Sequence, residues 1–215
     1  MVHRLIALGF MVLLSLAAAG PAAGQETKPI GPTGSIAAHP KHQIDLLRRV
    51  NAYFNQLTSL EGTFVQIGAD NKRQRGKFYI ARPGRFRFEF NPPSRVVIIS
   101  DGQYIAIQDR DLSTDDRWDL SYTPFRALLQ DNVDLLRDAR VIETEEKEDA
   151  ISIVFEDKTG DSSSRIRLFL AAKPSLQIKG WIAKDAQGFD TRTDIIEMHV
   201  PVGQLDANLF NPAAR

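Results

Sequence analysis

The chain has 215 residues, with 27 Lys and Arg against 27 Asp and Glu, so its formal charge at neutral pH is zero. Such a balance offers no bulk positive field for nucleic acid or an anionic membrane, and no nucleic-acid partner is expected. There is no cysteine, which excludes disulfides and thiol chemistry and leaves the hydrophobic core to hold the fold.

His3 and Arg4 precede an apolar run, Leu5 to Ala19, followed by small residues through Gly24. This pattern reads as a secretory signal peptide over residues 1–24, with cleavage after Gly24 and Ala19 as the competing site. The run is too short for a confident membrane span, which needs about 20 apolar residues. No cysteine follows it, so the chain is not expected to be a lipoprotein itself. Loss of Arg4 leaves 26 basic against 27 acidic residues, a formal charge of −1. An exported chain without disulfides points to the bacterial periplasm rather than to a disulfide-rich secreted class. Residues 25–40 carry Lys28-Pro29, Gly31-Pro32, Gly34 and Pro40 and read as a flexible leader. A single domain is expected over 41–215.

From Lys41 the apolar period is helical. Ile44, Leu47, Val50, Phe54 and Leu57 recur at three- and four-residue steps, predicting an amphipathic helix to about residue 57. The period then changes to two. Strands are predicted near 60–67, 75–81, 85–90, 95–100, 103–109 and 116–121, then near 139–145, 150–157, 164–171, 176–184 and 190–200. Arg82-Pro83-Gly84 forms a turn that runs into Phe86, Phe88 and Phe90, which alternate with Arg85, Arg87 and Glu89. Three phenyl rings therefore share one face and three charges the other. Asp101-Gly102 is a hairpin signal, and Asn91-Pro92-Pro93 and Lys158-Thr159-Gly160-Asp161 break other pairs. One helix interrupts the strands, with Thr123 as N-cap, Pro124 at the first helical position, and Phe125, Leu128 and Leu129 as its apolar side. Glu143 to Asp149 is an acid-rich hairpin tip, expected to be solvated. About eleven short strands at hairpin spacing fit a mainly β fold with some α, one antiparallel sheet that curls.

No catalytic constellation stands out. The mature chain's histidines are His39, His42 and His199, and the first two lack a third ligand nearby in sequence. Asp109-x-Asp111-x-Ser113-x-Asp115 opens like a calcium loop, but Thr114 and Leu120 replace the required Gly and Glu. Neither a metal nor a cofactor is expected. Trp118 and Trp181 are more simply packing rings than ligand-stacking ones. What remains is a greasy inner face: Phe78, Ile80, Phe86, Phe88, Phe90, Val97 and Ile99. Periodicity alone does not distinguish a filled barrel from a hollow one, and an ordinary core is the commoner outcome.

A set of ordered motifs bears on that choice. Leu60-x-Gly62-x-Phe64-x-Gln66 is followed by Gly76-x-Phe78 and Arg82-Pro83-Gly84-Arg85-Phe86-Arg87-Phe88. Then come Ile99-Ser100-Asp101-Gly102, Thr123-Pro124-Phe125-x-x-Leu128-Leu129 and Leu205-Asp206-x-x-Leu209-Phe210. With these motifs, spread over about residues 41–212, the chain resembles the LolA-type outer-membrane lipoprotein carriers. The resemblance implies an unclosed antiparallel β-barrel with short helices as a lid over a hydrophobic cavity. It implies that Phe78, Ile80, Phe86, Phe88, Phe90, Val97 and Ile99 line the cavity, and that Leu47, Val50, Phe54, Phe125, Leu128 and Leu129 lie on lid helices. It maps the family's latch arginine onto Arg82, whose guanidinium would bond backbone carbonyls of the lid. It also implies a non-enzymatic monomer that needs no cofactor. Its partners would be acylated lipoproteins, an inner-membrane ABC-type lipoprotein release complex and an outer-membrane acceptor. A lipoprotein- or lipid-sensing regulatory protein on the same fold is the alternative, and a periplasmic enzyme acting on a lipid-like substrate a third reading. Family members often run past the Leu-Phe motif into a further Pro-containing segment; this sequence ends at Arg215, so features of that tail are not expected.

Overall fold

A computed structural model describes residues 40–123, 125–158, 165–184 and 188–213. The expected signal peptide, the leader up to His39, Pro124 and the turn residues Thr159 to Asp161 lie outside them.

Helix α1 (Pro40–Gln56) leads into a meander of six strands: β1 (Ser59–Ile67), β2 (Arg73–Ala81), β3 (Arg85–Phe90), β4 (Val96–Asp101), β5 (Tyr104–Asp109) and β6 (Thr114–Asp119). The helix starts at Pro40, a residue expected in the leader, because proline suits a helix's first turn. Two one-turn helices, α2 (Arg126–Leu129) and α3 (Leu135–Asp138), link this meander to a second one. That second meander is β7 (Ala139–Glu146), β8 (Ala150–Asp157), β9 (Arg165–Ala171), β10 (Gln177–Lys184) and β11 (Asp190–His199). β1 pairs with β11, which joins the two meanders into one eleven-stranded antiparallel sheet. The order β6-β5-β4-β3-β2-β1-β11-β10-β9-β8-β7 leaves β6 and β7 as unjoined edges. The expected unclosed barrel is therefore observed. No described helix is long and apolar enough to cross a membrane.

Two glycines are needed where they stand. Gly84 has φ +65°, a left-handed conformation that costs a side-chain-bearing residue energy. A Cβ on Gly76 would lie 2.1 Å from the Glu89 carbonyl oxygen and 2.6 Å from the Phe64 ring, which folds over its cross-strand partner.

The concave face holds two apolar clusters. One packs Leu46, Leu47, Val50 and Phe54 of α1 against Ile151, Ile153 and Phe155 of β8, Ile166 and Leu168 of β9, and Leu135 of α3. The other gathers Phe64, Phe78, Phe86, Phe88 and Phe90 with Val96, Ile98, Ile105 and Ile107.

β4 requires a correction. Its inward residues are Val96 and Ile98. Val97 and Ile99, expected in the cavity wall, pair across with Glu89 and Arg87 and lie on the outer face. They are buried there because the chain's last described segment crosses that face. Arg87 Nη1 donates to the Leu209 carbonyl at 3.2 Å, and Gln108 Nε2 donates to the Pro212 carbonyl at 2.7 Å. The Phe210 ring sits 5.6 Å from the Arg85 guanidinium. A strand apolar at every position is buried on both faces, and its period cannot say which residues point inward.

Thr123 differs as well. Its hydroxyl donates to the Leu120 carbonyl at 2.9 Å, closing a 3-10 turn over Leu120–Tyr122. α2 begins at Arg126, and Phe125 stands in the cap position without a side-chain bond.

Candidate functional site: an apolar cavity under α2

The two clusters touch through Leu57, Trp181, Ile195 and Met198, which pack against both. Between them lies a cavity of about 90 Å³. Phe78, Ile80, Phe86 and Phe88 form one wall, as the alternation in β2 and β3 predicts. Leu60 of β1, Leu168 of β9, Ile178 and Trp181 of β10 and Ile195 of β11 form the other. Phe54 and Leu57 close it from α1, and Phe125, Leu128 and Leu129 from α2. Arg82 is the charged residue among its lining side chains.

The expected site residues therefore separate into groups. Phe78, Ile80, Phe86, Phe88, Phe54, Phe125, Leu128, Leu129 and Arg82 line the cavity. Phe90 faces inward but is spent on packing, edge-on to Phe64 at 5.2 Å. Leu47 and Val50 lie in the solid core under α1. Val97 and Ile99 are on the far side of the sheet.

Trp181 is the lining residue that local reading undervalued. Its ring meets Phe88 of the far wall at 6.2 Å and Phe125 of the roof at 5.7 Å, both edge-on. It is thus the aromatic link between wall and roof. The period-two pattern of β10 places it on one face with Ala183, but nothing in the sequence ties it to Phe88.

The turn before β3 fastens α2. The last carbonyls of any helix have no partner within it. Here the Leu129 carbonyl accepts from the Gly84 N–H at 2.9 Å, and the Gln130 carbonyl from Arg82 Nη1 at 3.2 Å. The Arg82 N–H itself donates to the Thr58 carbonyl at 2.9 Å, tying the same turn to the end of α1. Arg82 Nε is buried and has no hydrogen-bond partner. Burial lowers the Arg82 pKa from its ordinary value, and the nearby Asp131 charge opposes that shift.

This fastening is weak by magnitude. A backbone bond contributes about 0.5–1.5 kcal/mol net, and one to a charged group about 1.5–3 kcal/mol. An unsatisfied buried donor costs about 1–3 kcal/mol, which offsets much of the Arg82 contribution. The other end of α2 is held differently. Arg126 Nε and Nη2 donate to the two Asp157 carboxylate oxygens at 3.1 and 3.0 Å, and the Asp157 side chain is 2 % exposed. Removing one member of such a buried pair costs about 3–5 kcal/mol.

The cavity is small for its setting. An apolar cavity of about 150 Å³ holds a molecule of benzene's size. A long acyl chain is larger than this space and enters only with displacement of part of the lining, of which the C-terminal end of α2 is tied to the Arg82–Gly84 turn by two hydrogen bonds. Among the described residues no cluster of His, Asp and Glu could hold a metal ion. His42 pairs instead with Glu146 at 3.2 Å.

Several known proteins are similar to this chain. A sequence profile described as "Outer membrane lipoprotein carrier protein LolA" matches residues 55–213. An outer-membrane lipoprotein carrier protein of Chromohalobacter salexigens is 26% identical over 195 residues, covering 84% of this chain and 89% of that one. An uncharacterized protein of Rickettsia prowazekii is 33% identical over 104 residues, so this chain spans about half of that relative, 48% of each. The crystal structure of a LolA-superfamily protein from Nitrosomonas europaea aligns with a TM-score of 0.46 at 12% identity, covering 78% of this chain and 96% of that one.

Proposed function

This chain belongs to the LolA family of outer-membrane lipoprotein carrier proteins, and on that premise we propose that it is a periplasmic carrier of acylated lipoproteins. It accepts them from an inner-membrane ABC-type release complex and delivers them to an outer-membrane acceptor, with the acyl chains held in the cavity. The observation that carries this reading is the cavity itself, apolar throughout apart from Arg82 and roofed by a helix whose C-terminal end is tied down by two hydrogen bonds.

The energetics suit a carrier. Burying an acyl chain stabilises by about 0.8 kcal/mol per methylene, so a long chain contributes on the order of 10 kcal/mol. A lipoprotein with several chains does not leave a membrane at a useful rate without a soluble shelter. That shelter must also bind the chains less favourably than the acceptor does. The Arg82 and Gly84 bonds to α2 supply the bias, because they form only when the roof is closed and therefore compete with cargo. Closure also hides the apolar wall while the carrier is empty. The chemistry called for is displacement and exclusion of water, with no bond made or broken and no cofactor.

Depletion of the protein in its own cell provides the test. Lipoproteins destined for the outer membrane should accumulate in the inner membrane when fractions are separated by density. Normal sorting under full depletion would overturn the reading.

A further inference from the structure

The outer face of β2 carries a row of unpaired cations. Phe78 and Ile80 point into the cavity, so the alternating residues Arg73, Arg75 and Lys77 share the opposite face of the sheet, and all three are exposed. Successive members stand about 6.6–6.8 Å apart along the strand. Among the described residues, the Lys and Arg side chains with no hydrogen bond, ion pair or aromatic ring as partner are Lys41, Arg73, Arg75, Lys77 and Arg110. Three of these stand side by side on β2, while most of the other cations are matched to an acid.

The acids around the row are engaged elsewhere or lie beyond it. Glu89, across from Lys77, accepts from Arg87 Nε. Asp70, in the turn before β2, pairs with Lys72. Asp194 of β11 takes Arg192 Nε on both oxygens at 2.9 and 3.0 Å. Glu197 is two strands from Lys77, beyond Thr63, whose hydroxyl donates to it at 3.4 Å, and Glu61 faces Tyr79 past the end of the row. The row also stands over closed surface: Val65, between Arg75 and Asp194, is 1 % exposed. At the Arg73 end of the sheet, Phe189, one residue before β11, is 58 % exposed.

We propose that Arg73, Arg75 and Lys77 dock the protein on the surface of an anionic phospholipid bilayer, through the face of the sheet that points away from the cavity. Charge complementarity asks for an anionic partner. A protein partner is held by a packed, largely uncharged interface core, and the cations here surround no pocket or groove that could receive one. Fluid headgroups instead rearrange around long cationic side chains and need no shaped receptor. An exposed aromatic such as Phe189 suits the headgroup level of a membrane. The chain is neutral as a whole, so the attraction is local, acting within about 8 Å at physiological salt. Each cation near an anionic leaflet strengthens partitioning on the order of fivefold, so the three together give on the order of a hundredfold. Such binding is reversible, as a protein that moves between two membranes requires. The proposal goes beyond the carrier reading and does not depend on what the cavity holds.

Vesicle flotation tests it, with residues 1–24 removed because the apolar run Leu5 to Ala19 would itself enter a bilayer. The protein should bind vesicles of phosphatidylcholine and phosphatidylglycerol in equal parts at least about tenfold more strongly than vesicles of phosphatidylcholine alone. High salt should remove the difference. Equal binding to the two compositions, or to neither, would overturn the proposal. Combined Arg73→Gln, Arg75→Gln and Lys77→Gln should abolish the preference while circular dichroism and thermal unfolding stay as in the wild type, since the three side chains hold nothing. Combined Arg48→Gln, Lys147→Gln and Lys173→Gln removes as much charge from exposed ion pairs elsewhere and should change the preference less than twofold. A similar loss in both variants would assign the effect to net charge and overturn the docking surface. Binding to immobilised polyglutamate with none to the anionic vesicles would assign the row to an acidic protein and overturn the membrane.

Discussion

The β8–β10 half of the sheet and the β1–β5 half present similar inner faces, rows of branched and aromatic side chains at every second position. The first is filled over most of its area: α1 and α3 lie on it, and Ile153, Phe155 and Ile166 are 0 % exposed, while Leu168 and Ile178 at its edge border the cavity. The second carries more phenyl rings, but its roof is a single-turn helix, and between wall and roof there is space. A seventeen-residue amphipathic helix brings enough apolar surface to close a core. A four-residue helix does not. The hollow thus arises from the shortness of α2 as much as from the phenylalanines under it.

Four substitutions test that contrast, taken from the largest expected effect downward. Phe155→Ala, in the filled half, should destabilise by about 3–5 kcal/mol in chemical denaturation. Phe88→Ala should cost at least about 1 kcal/mol less, since its ring already borders open space and the residual cavity adds little. Equal costs would mean that both halves are packed alike. Asp157→Asn should cost about 3 kcal/mol by the same measurement, because it leaves Arg126 without its buried counter-charge. A change below about 1 kcal/mol would show that this end of α2 is no anchor. Gly76→Ala should cost at least about 1–3 kcal/mol, because its Cβ would drive both the Glu89 carbonyl of β3 and the Phe64 ring out of place, and wild-type stability would show that the sheet has slack there.

Arg82→Leu should have the smallest effect on stability, under about 1 kcal/mol. It loses one bond but also removes a buried donor that has no partner. Its consequence is functional. Without the closed-state bonds, cargo competes against less, so the variant should load but release poorly to the acceptor in a reconstituted transfer assay. Transfer at the wild-type rate would reject the latch.

Much of the fold was legible in the sequence. All eleven strands stand within a few residues of their expected positions, since turn residues such as Asp101-Gly102 punctuate a clear period of two. Phe78, Ile80, Phe86 and Phe88 were legible as one wall because β2 and β3 alternate cleanly. β4 was not, since Val96 to Ile99 are apolar throughout and buried from both sides. Asn51 and Asn55 stand on the polar side of α1, and only the tertiary structure brings them to their partners at residues 132–135. Asp157 likewise gives no local sign of its bond to Arg126. Thr123 looked like a helix cap because the residue type suits both a cap and the turn it closes.

The chain by itself determined the strands, the long helix, the absence of thiol chemistry and the ladder of phenylalanines, because each follows from local conformational preference and side-chain period. The Arg82-Pro83-Gly84 turn was recognisable in the same way, and its link to a lid came from family resemblance. Tertiary structure alone decided that the ladder faces a space, that Trp181 spans it, and that α2 is fixed at Arg126 and held lightly at Gly84. Those properties depend on which surfaces the sheet's curvature brings within contact distance. Residues as far apart in the chain as Phe88 and Trp181 meet there, and no local pattern encodes their separation.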